Sequence, residues 1–526
     1  MTAIARLCLV GAVAAPLVGA GAMTILRGSP RTGARLSAAL HWTGVVLAGL
    51  LVILVAVHGA LSIGVGRGRH VVIGLTGDRL TVTLVSLVLG IGAVVQTYSL
   101  RYLRTDPRAP RFVIGAGVLV SAMAAVAAST TLVGVVVGWV VASLGFVAIV
   151  GYRPDLPGVR PSARRTAAAF VVGDGALVVG ALIVAFRVGN VALVGSGSVS
   201  GTSERLGGAG PVVALLIVVA ALARCAQGPF GAWLPGTVAA PTPVSALLHA
   251  GFVNGGGILL VRTGAIASGS SVAMIVAFVV AAATAVVATA AMAQRSDVKS
   301  ELAFSTMGQM GFMVAECTVG AFGAGVVHLI GHALYKATLF LGSGSQMPRP
   351  GQVAPREDGV PTVGRIVMAG IAASASVGVV LAAPGISGHR ASGPLAVFVA
   401  VTAGVGAWSL WASRHPGRTA ALAGLIVAAS ALYGLGAAGL FAWVDPSLPR
   451  VGSAVLSPWL LLAVAAGGAL SGLVLRLPSV GVRLRTVLVD LGAPSRGATR
   501  RVVVARPASA LRPRPHIDPL PLGNAA

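Results

Sequence analysis

Apolar runs of about twenty residues, separated by short polar breaks, repeat along nearly the whole chain. An α-helix rises 1.5 Å per residue, so about twenty apolar residues cross the hydrocarbon core of a bilayer. About fifteen runs reach that length, near 4–26, 37–63, 80–99, 112–130, 132–151, 165–186, 209–226, 242–262, 270–293, 301–320, 321–342, 362–384, 394–412, 418–443 and 453–475. The pattern predicts an all-α polytopic membrane protein with about 14–15 transmembrane helices. The first run could pass for a signal peptide. However, Arg6 is its only early charge and the apolar stretch is long, so it reads as a retained helix. The expected organisation is N-terminal helices over 1–110, a transmembrane core over 111–384, C-terminal helices over 385–476 and a basic tail over 477–526.

The informative positions are the polar ones inside apolar runs. His328, His332 and Lys336 recur at i, i+4 and i+8. On a helix that spacing places all three on one face, over about 12 Å of rise. A Lys or charged His near the bilayer centre costs roughly 2.5–3.5 kcal/mol even on the gentler insertion scale. A snorkelling Lys with two hydrogen-bonded core histidines is one reading; a proton or ion path is the other. Asp174, inside the run Ala167–Phe186, carries the same pair of alternatives: an intramembrane functional carboxylate or a bond to a neighbouring helix. Glu316 also lies in an apolar run, but near a segment end, and carries less weight.

The stretch 210–262 is the second centre. An apolar helix breaks at Gly228-Pro229 and passes through Trp233, Pro235, Pro241 and Pro243. It re-enters as a helix carrying His249 and Asn254. Proline removes backbone donors, and a broken helix at membrane depth needs protein or water to satisfy the freed groups. Such breaks recur at transport sites; an ordinary Pro-rich loop between two helices is the alternative.

Composition agrees with a membrane protein: 56% of the 526 residues are hydrophobic, only 10% are charged and the mean hydropathy is +0.92. The 72 Gly suit close helix packing in lipid. The net charge of +25 would suggest nucleic acid in a soluble chain. Here the arginines sit in short loops and the tail, so no nucleic-acid partner is expected. Loops that alternate along the chain hold 19 and 8 basic residues, and the tail nine more. Positive-inside reasoning then gives a cell-membrane protein with its N-terminus outside and its C-terminus in the cytoplasm. Within the tail, Val480–Leu491 reads as an amphipathic surface piece, and the Pro- and Arg-rich remainder as disordered, either fixing topology or meeting membrane lipids or a partner.

Cys8, Cys225 and Cys317 have no metal-ligand spacing, and no nucleotide loop is present, so neither a metal nor a cofactor is expected in this chain. Of 38 basic residues only two are lysines, Lys299 and Lys336. Lysine can release its proton in a protein and arginine cannot, which is a reason to keep Lys at position 336.

The run from Ala226-Gln227-Gly228-Pro229-Phe230 through Trp233-Leu234-Pro235 to Pro241-Thr242-Pro243-Val244-Ser245-Ala246-Leu247-Leu248-His249-Ala250 resembles the signature of antiporter-like membrane subunits. These are the proton-pumping subunits of respiratory complex I and of Mrp-type antiporters. The run Asp297 to Met313, the row His328, His332 and Lys336, the stretch Tyr98 to Pro107 and Gly173-Asp174 resemble the same family. The resemblance implies a bundle of some fourteen helices with two inverted repeats and broken helices. It implies an ion path through Asp174, His249, His328, His332 and Lys336. Two positions depart from the pumping pattern: Val140 stands where redox pumps carry a glutamate, and Arg224 where they carry a lysine. Arg224 can hold an anion or a structural partner but cannot cycle a proton. The segment 362–384 also supplies no acidic residue or lysine.

Within the family, His249-Ala250-Gly251 with Asn254, and Gly320-Ala321-Phe322 with His328, look most like the inorganic-carbon transporter subunits of the DabB group. That implies a transporter subunit rather than an enzyme. It would work with a large peripheral zinc-binding, carbonic-anhydrase-like partner of the DabA type to accumulate bicarbonate or CO2. The other readings are a redox-coupled or Mrp-type pump subunit, and a scaffold that conducts nothing.

Overall fold

The computed structural model describes residues 2–26, 28–67, 70–193, 202–295, 297–343, 363–383, 392–412, 419–449, 456–474 and residue 488. The helices are α1 (Thr2–Ile25), α2 (Pro30–His58), α3 (Arg79–Tyr102), α4 (Ala109–Ala128), α5 (Leu132–Val150), α6 (Val159–Val188), α7 (Gly210–Arg224), α8 (Thr242–Ala250) and α9 (Gly255–Arg262). They continue with α10 (Ser271–Met292), α11 (Val298–Thr318), α12 (Phe322–Ser343), α13 (Val363–Ala382), α14 (Ser392–Ala412), α15 (Thr419–Val444) and α16 (Leu460–Val474). Every expected apolar run coincides with one of these elements, and the run 242–262 is split into α8 and α9. Eleven helical spans among the described residues are long and apolar enough to cross a membrane. The protein is thus an all-α polytopic membrane protein, with helix-pair packing consistent with inverted repeats. The tail piece Val480–Leu491 lies outside the described residues except for residue 488.

One element departs from the helical pattern. The strands β1 (Leu61–Arg67) and β2 (His70–Gly77) pair antiparallel, where the sequence reads as the end of a helix and a loop. Seventeen residues rich in Gly, Val and Ile are too few to span as a second helix, and the β-branched residues favour a pleated ribbon. The hairpin lies against the ends of α4, α5 and α6. Thr131 Oγ1 donates to Val72 O at 2.9 Å, and Asn190 Nδ2 donates to Val71 O and Val72 O at 2.8 and 2.9 Å. Beside it, buried Arg262 contacts Asp78, Thr81 Oγ1 and Ser129 O.

Two glycines set the packing of the central helices. Gly320 has φ +78°, a conformation that a Cβ disfavours. Its N–H bonds Cys317 O at 3.1 Å, and Ala321 N–H bonds Glu316 O at 2.9 Å. These are the paired bonds of a Schellman turn, and they fold α12 back along α11 at once. On the other side of α11, Gly311 lies on α10: a Cβ there would sit 2.6 Å from Ala281 O and 3.1 Å from Ala285 N. Backbone atoms cannot yield, so Gly311→Ala should destabilise the chain by about 1–3 kcal/mol. Thermal unfolding in detergent checks this; an unchanged midpoint would mean that α10 can move away freely.

Candidate functional site

Helix α11 carries the partners of the polar row on α12. At one end, His328 Nδ1 lies 2.9 Å from Glu316 Oε2, and both side chains are buried. One turn on, His332 Nδ1 lies 2.7 Å from Gln309 Oε1 while its Nε2 lies 3.0 Å from the main-chain oxygen of His249. The His328 and His332 rings are 6.5 Å apart, centre to centre. At the other end, Lys336 Nζ donates to Leu302 O at 3.3 Å. Lys336 is fully buried. The partners Leu302, Gln309 and Glu316 recur at seven-residue intervals and so share one face of α11.

His249 joins this row from α8. Its Nδ1 lies 3.1 Å from Thr306 Oγ1, and Thr306 donates to Leu302 O, the carbonyl that also receives Lys336. Because the Thr306 hydroxyl hydrogen is spent on Leu302, its oxygen accepts, and His249 Nδ1 is the donor. His332 Nε2 faces a carbonyl and is likewise a donor. Its Nδ1 faces the Gln309 amide, which can present either end. A singly protonated ring is satisfied there by the amide NH2, and a doubly protonated ring by Oε1. One amide rotation therefore accommodates both charge states. The row thus contains groups able to take and release protons, in contact with groups able to follow the change.

The expected break lies after α7. Gly228 N–H donates to Thr284 Oγ1 at 3.0 Å, Gln227 Nε2 to Cys225 O and Met307 O, and Trp233 Nε1 to Ala223 O at 3.0 Å. Side chains thus satisfy backbone groups that proline and chain reversal free, as burial in a membrane requires. Pro229 precedes a 3-10 turn (Phe230–Ala232), Pro235 lies in a one-turn helix (Trp233–Gly236), Pro241 caps α8 and Pro243 opens it. Lys299 Nζ holds Ala240 O at 3.0 Å, tying the far end of the break to α11. A second break, unmarked by proline, follows His249: the helix stops at Gly251 and resumes after a 3-10 turn, Phe252–Asn254. Asn254 Nδ2 spans it by donating to Ala250 O at 2.8 Å.

Asp174 and Arg224 form a separate centre. Arg224 Nη2 contacts Asp174 Oδ1 at 3.2 Å, Ser143 Oγ at 2.7 Å and Trp139 O at 3.3 Å. Its guanidinium lies 3.7 Å from the Trp139 ring centre and 4.3 Å from that of Phe252. A flat, weakly hydrated cation suits such an aromatic box. Among the described residues, no direct hydrogen bond joins this pair to His249. Sequence reasoning offered Asp174 both as a member of an ion path and as a bond to a neighbouring helix, and the structure pairs it with Arg224. It also gave little weight to Glu316, and it missed Gln309 and Thr306, whose neutral side chains carry no charge signal.

Among the described residues, no group of three or more His, Cys, Asp or Glu could hold a metal ion. With a titratable row between α11 and α12 and broken segments beside it, the class defined is an antiporter-like membrane subunit. The chain belongs to that family: residues 129–357 match the family described as NADH:quinone oxidoreductase/Mrp antiporter, and residues 65–113 match the N-terminus of complex I chain 5. It is 33% identical over 360 residues to a protein of Bacillus subtilis named probable inorganic carbon transporter subunit DabB, covering 66% of this chain and 68% of that one. It is 34% identical over 293 residues to Halothiobacillus neapolitanus subunit DabB1, covering 54% of this chain and 51% of that one. It is 31% identical over 281 residues to NADH-quinone oxidoreductase subunit L of Mycobacterium tuberculosis, covering 53% and 44%. The match to the Halothiobacillus protein thus spans about half of that relative's length. A solved Mrp complex from Dietzia sp. DQ12-45-1b superimposes with a TM-score of 0.58 at 26% identity, covering 95% of this chain and 58% of that one.

The Asp174–Arg224 pair makes a direct prediction. Removing one partner of a buried pair leaves the other uncompensated, so Asp174→Ala should cost about 3 kcal/mol, while replacing both with apolar residues costs less. Asp174→Ala/Arg224→Met should therefore unfold at a higher temperature than Asp174→Ala alone. A double variant weaker than the single one would show that Arg224 is held by its rings rather than by the carboxylate.

Proposed function

We propose that this chain is the membrane subunit of an inorganic-carbon transporter, passing protons or cations along the α11–α12 row to energise a peripheral partner. The observation that carries this reading is the row of buried Glu316, His328, His332, His249, Thr306 and Lys336, with half-buried Gln309 among them. The aromatic box around Arg224 favours a transporter over a redox pump of the complex I type. A guanidinium keeps its proton, so it cannot do the work of the lysine such pumps carry there. The names of the Bacillus and Halothiobacillus relatives support the same choice.

In this reading the loops richer in Arg face the cytoplasm, and the N-terminus lies outside. The Glu316–His328 end is then the outer entrance, and Lys336 lies toward the cytoplasm. A proton taken up at His328 passes to His332, where the Gln309 amide turns to follow the new charge. Charging of Lys336 alters its hold on Leu302 O. Thr306 passes that change to His249, and Lys299 ties α11 to the broken segment at Ala240. The broken segment moves and signals to the partner on the cytoplasmic side. That partner is a large zinc-binding, carbonic-anhydrase-like protein, and this chain itself acts as a transporter subunit rather than an enzyme.

Lys336→Ala should abolish gradient-driven bicarbonate uptake while the complex still assembles, measured by labelled bicarbonate accumulation and by co-purification. Full uptake by that variant would refute the row as the path. Glu316→Gln should slow uptake about 100-fold or more, the scale expected on losing a positioned proton-transfer partner. Affinity purification should recover one large zinc-containing partner; flavin and iron–sulfur subunits instead would establish the redox-pump reading.

A further inference from the structure

At the end of the bundle away from the hairpin, a cavity of about 820 Å3 opens between the start of α2, the end of α3 and the start of α4. Arg31 and Arg35 line it from α2, and Arg101 and Arg104 from the end of α3. All four are exposed, and among the described residues none forms an ion pair. The carboxylate that lines it, Asp106, is already engaged by Arg153 at 2.9 Å, by the Tyr152 hydroxyl at 3.2 Å and by Arg108 N–H at 2.9 Å. Burial and this carboxylate push the Tyr152 phenol up from its ordinary value, so the hydroxyl keeps its hydrogen for Asp106. Asp106 is therefore occupied, and the arginines are not.

Two further features point to a ligand. The N-terminus of α2 borders the cavity without a side-chain cap, a position that favours an anion. Gln96 also lines it and is 1% exposed. Its Nε2 donates to Ser37 Oγ at 3.1 Å and to Val113 O at 3.4 Å, but its Oε1 has no partner. A buried carbonyl oxygen left unbonded is costly, and this one lies just beneath the cavity wall, where a small turn of the amide would present it to a ligand hydroxyl or amine.

We infer that this cavity binds a phosphate ester, supplied as the headgroup of an anionic phospholipid. Arginine forks match phosphate oxygens in pairs. The lipid source follows from the surroundings. Ile25, at the end of α1, is 83% exposed and Leu36, on α2, is 41% exposed. Acyl chains hanging from a phosphate held here would lie along these apolar helix faces. The cavity volume also exceeds what an inorganic phosphate alone would fill.

The test uses the full chain purified in detergent, with phosphatidylglycerol as the probe and native mass spectrometry as the readout. Arg35→Gln/Arg104→Gln should lower phosphatidylglycerol affinity about 30-fold, since each of the two basic residues contributes on the order of 1 kcal/mol near an anionic lipid and about 1.4 kcal/mol is tenfold. Arg160→Gln/Arg164→Gln removes the same charge outside the cavity and should leave occupancy unchanged. Equal losses in the two double variants, or equal retention of phosphatidylcholine, would overturn the site. Thermal stabilisation of the wild type by inorganic phosphate, lost in Arg35→Gln/Arg104→Gln and with no response to phosphatidylglycerol, would keep the phosphate site and overturn its lipid source.

Discussion

A polar group inside a bilayer has no water to bond, so its partner must come from the protein. That constraint is concentrated on α11. Its residues Lys299, Leu302, Thr306, Met307, Gln309 and Glu316 bond in turn to the end of the broken segment, Lys336, His249, Gln227, His332 and His328. One helix therefore supports both the titratable row and the broken segment beside it. The close approach of α10 at Gly311 and the tight turn at Gly320 hold α11 against its neighbours. A displacement of α11 would leave several buried polar groups unsatisfied together.

The two charged centres differ in kind. Around Lys336 and the histidines, every group can change its protonation, and the neutral contacts Thr306 and Gln309 can reorient. Around Arg224, the cation is permanent and enclosed by rings, with Asp174, Ser143 and Trp139 O as acceptors. The first arrangement suits movement of charge; the second suits a fixed charge that pins α5, α6 and α7 together.

Much of the fold was legible because a helix crossing a membrane writes a long apolar run into the sequence. The proline-marked break after α7 was legible for the same reason: Gly228-Pro229, Pro235, Pro241 and Pro243 interrupt an otherwise spanning pattern. The second break, at Gly251, was hidden, because glycine is common in membrane helices and no proline marks it. The hairpin Leu61–Gly77 was also hidden. Short β-branched runs next to a spanning helix look like its continuation until pairing is seen.

The sequence by itself determined the membrane-embedded helices, the common face of His328, His332 and Lys336, and the family, since all of these rest on local spacing and residue type. Tertiary structure alone decided the pairings. Glu316 lies twelve residues from His328 and Asp174 fifty from Arg224. Which buried acid meets which base depends on how helices dock, and docking is set by close contacts such as Gly311 against α10. No local pattern encodes those distances, and the neutral side chains Thr306 and Gln309 gain their meaning only from the groups packed against them.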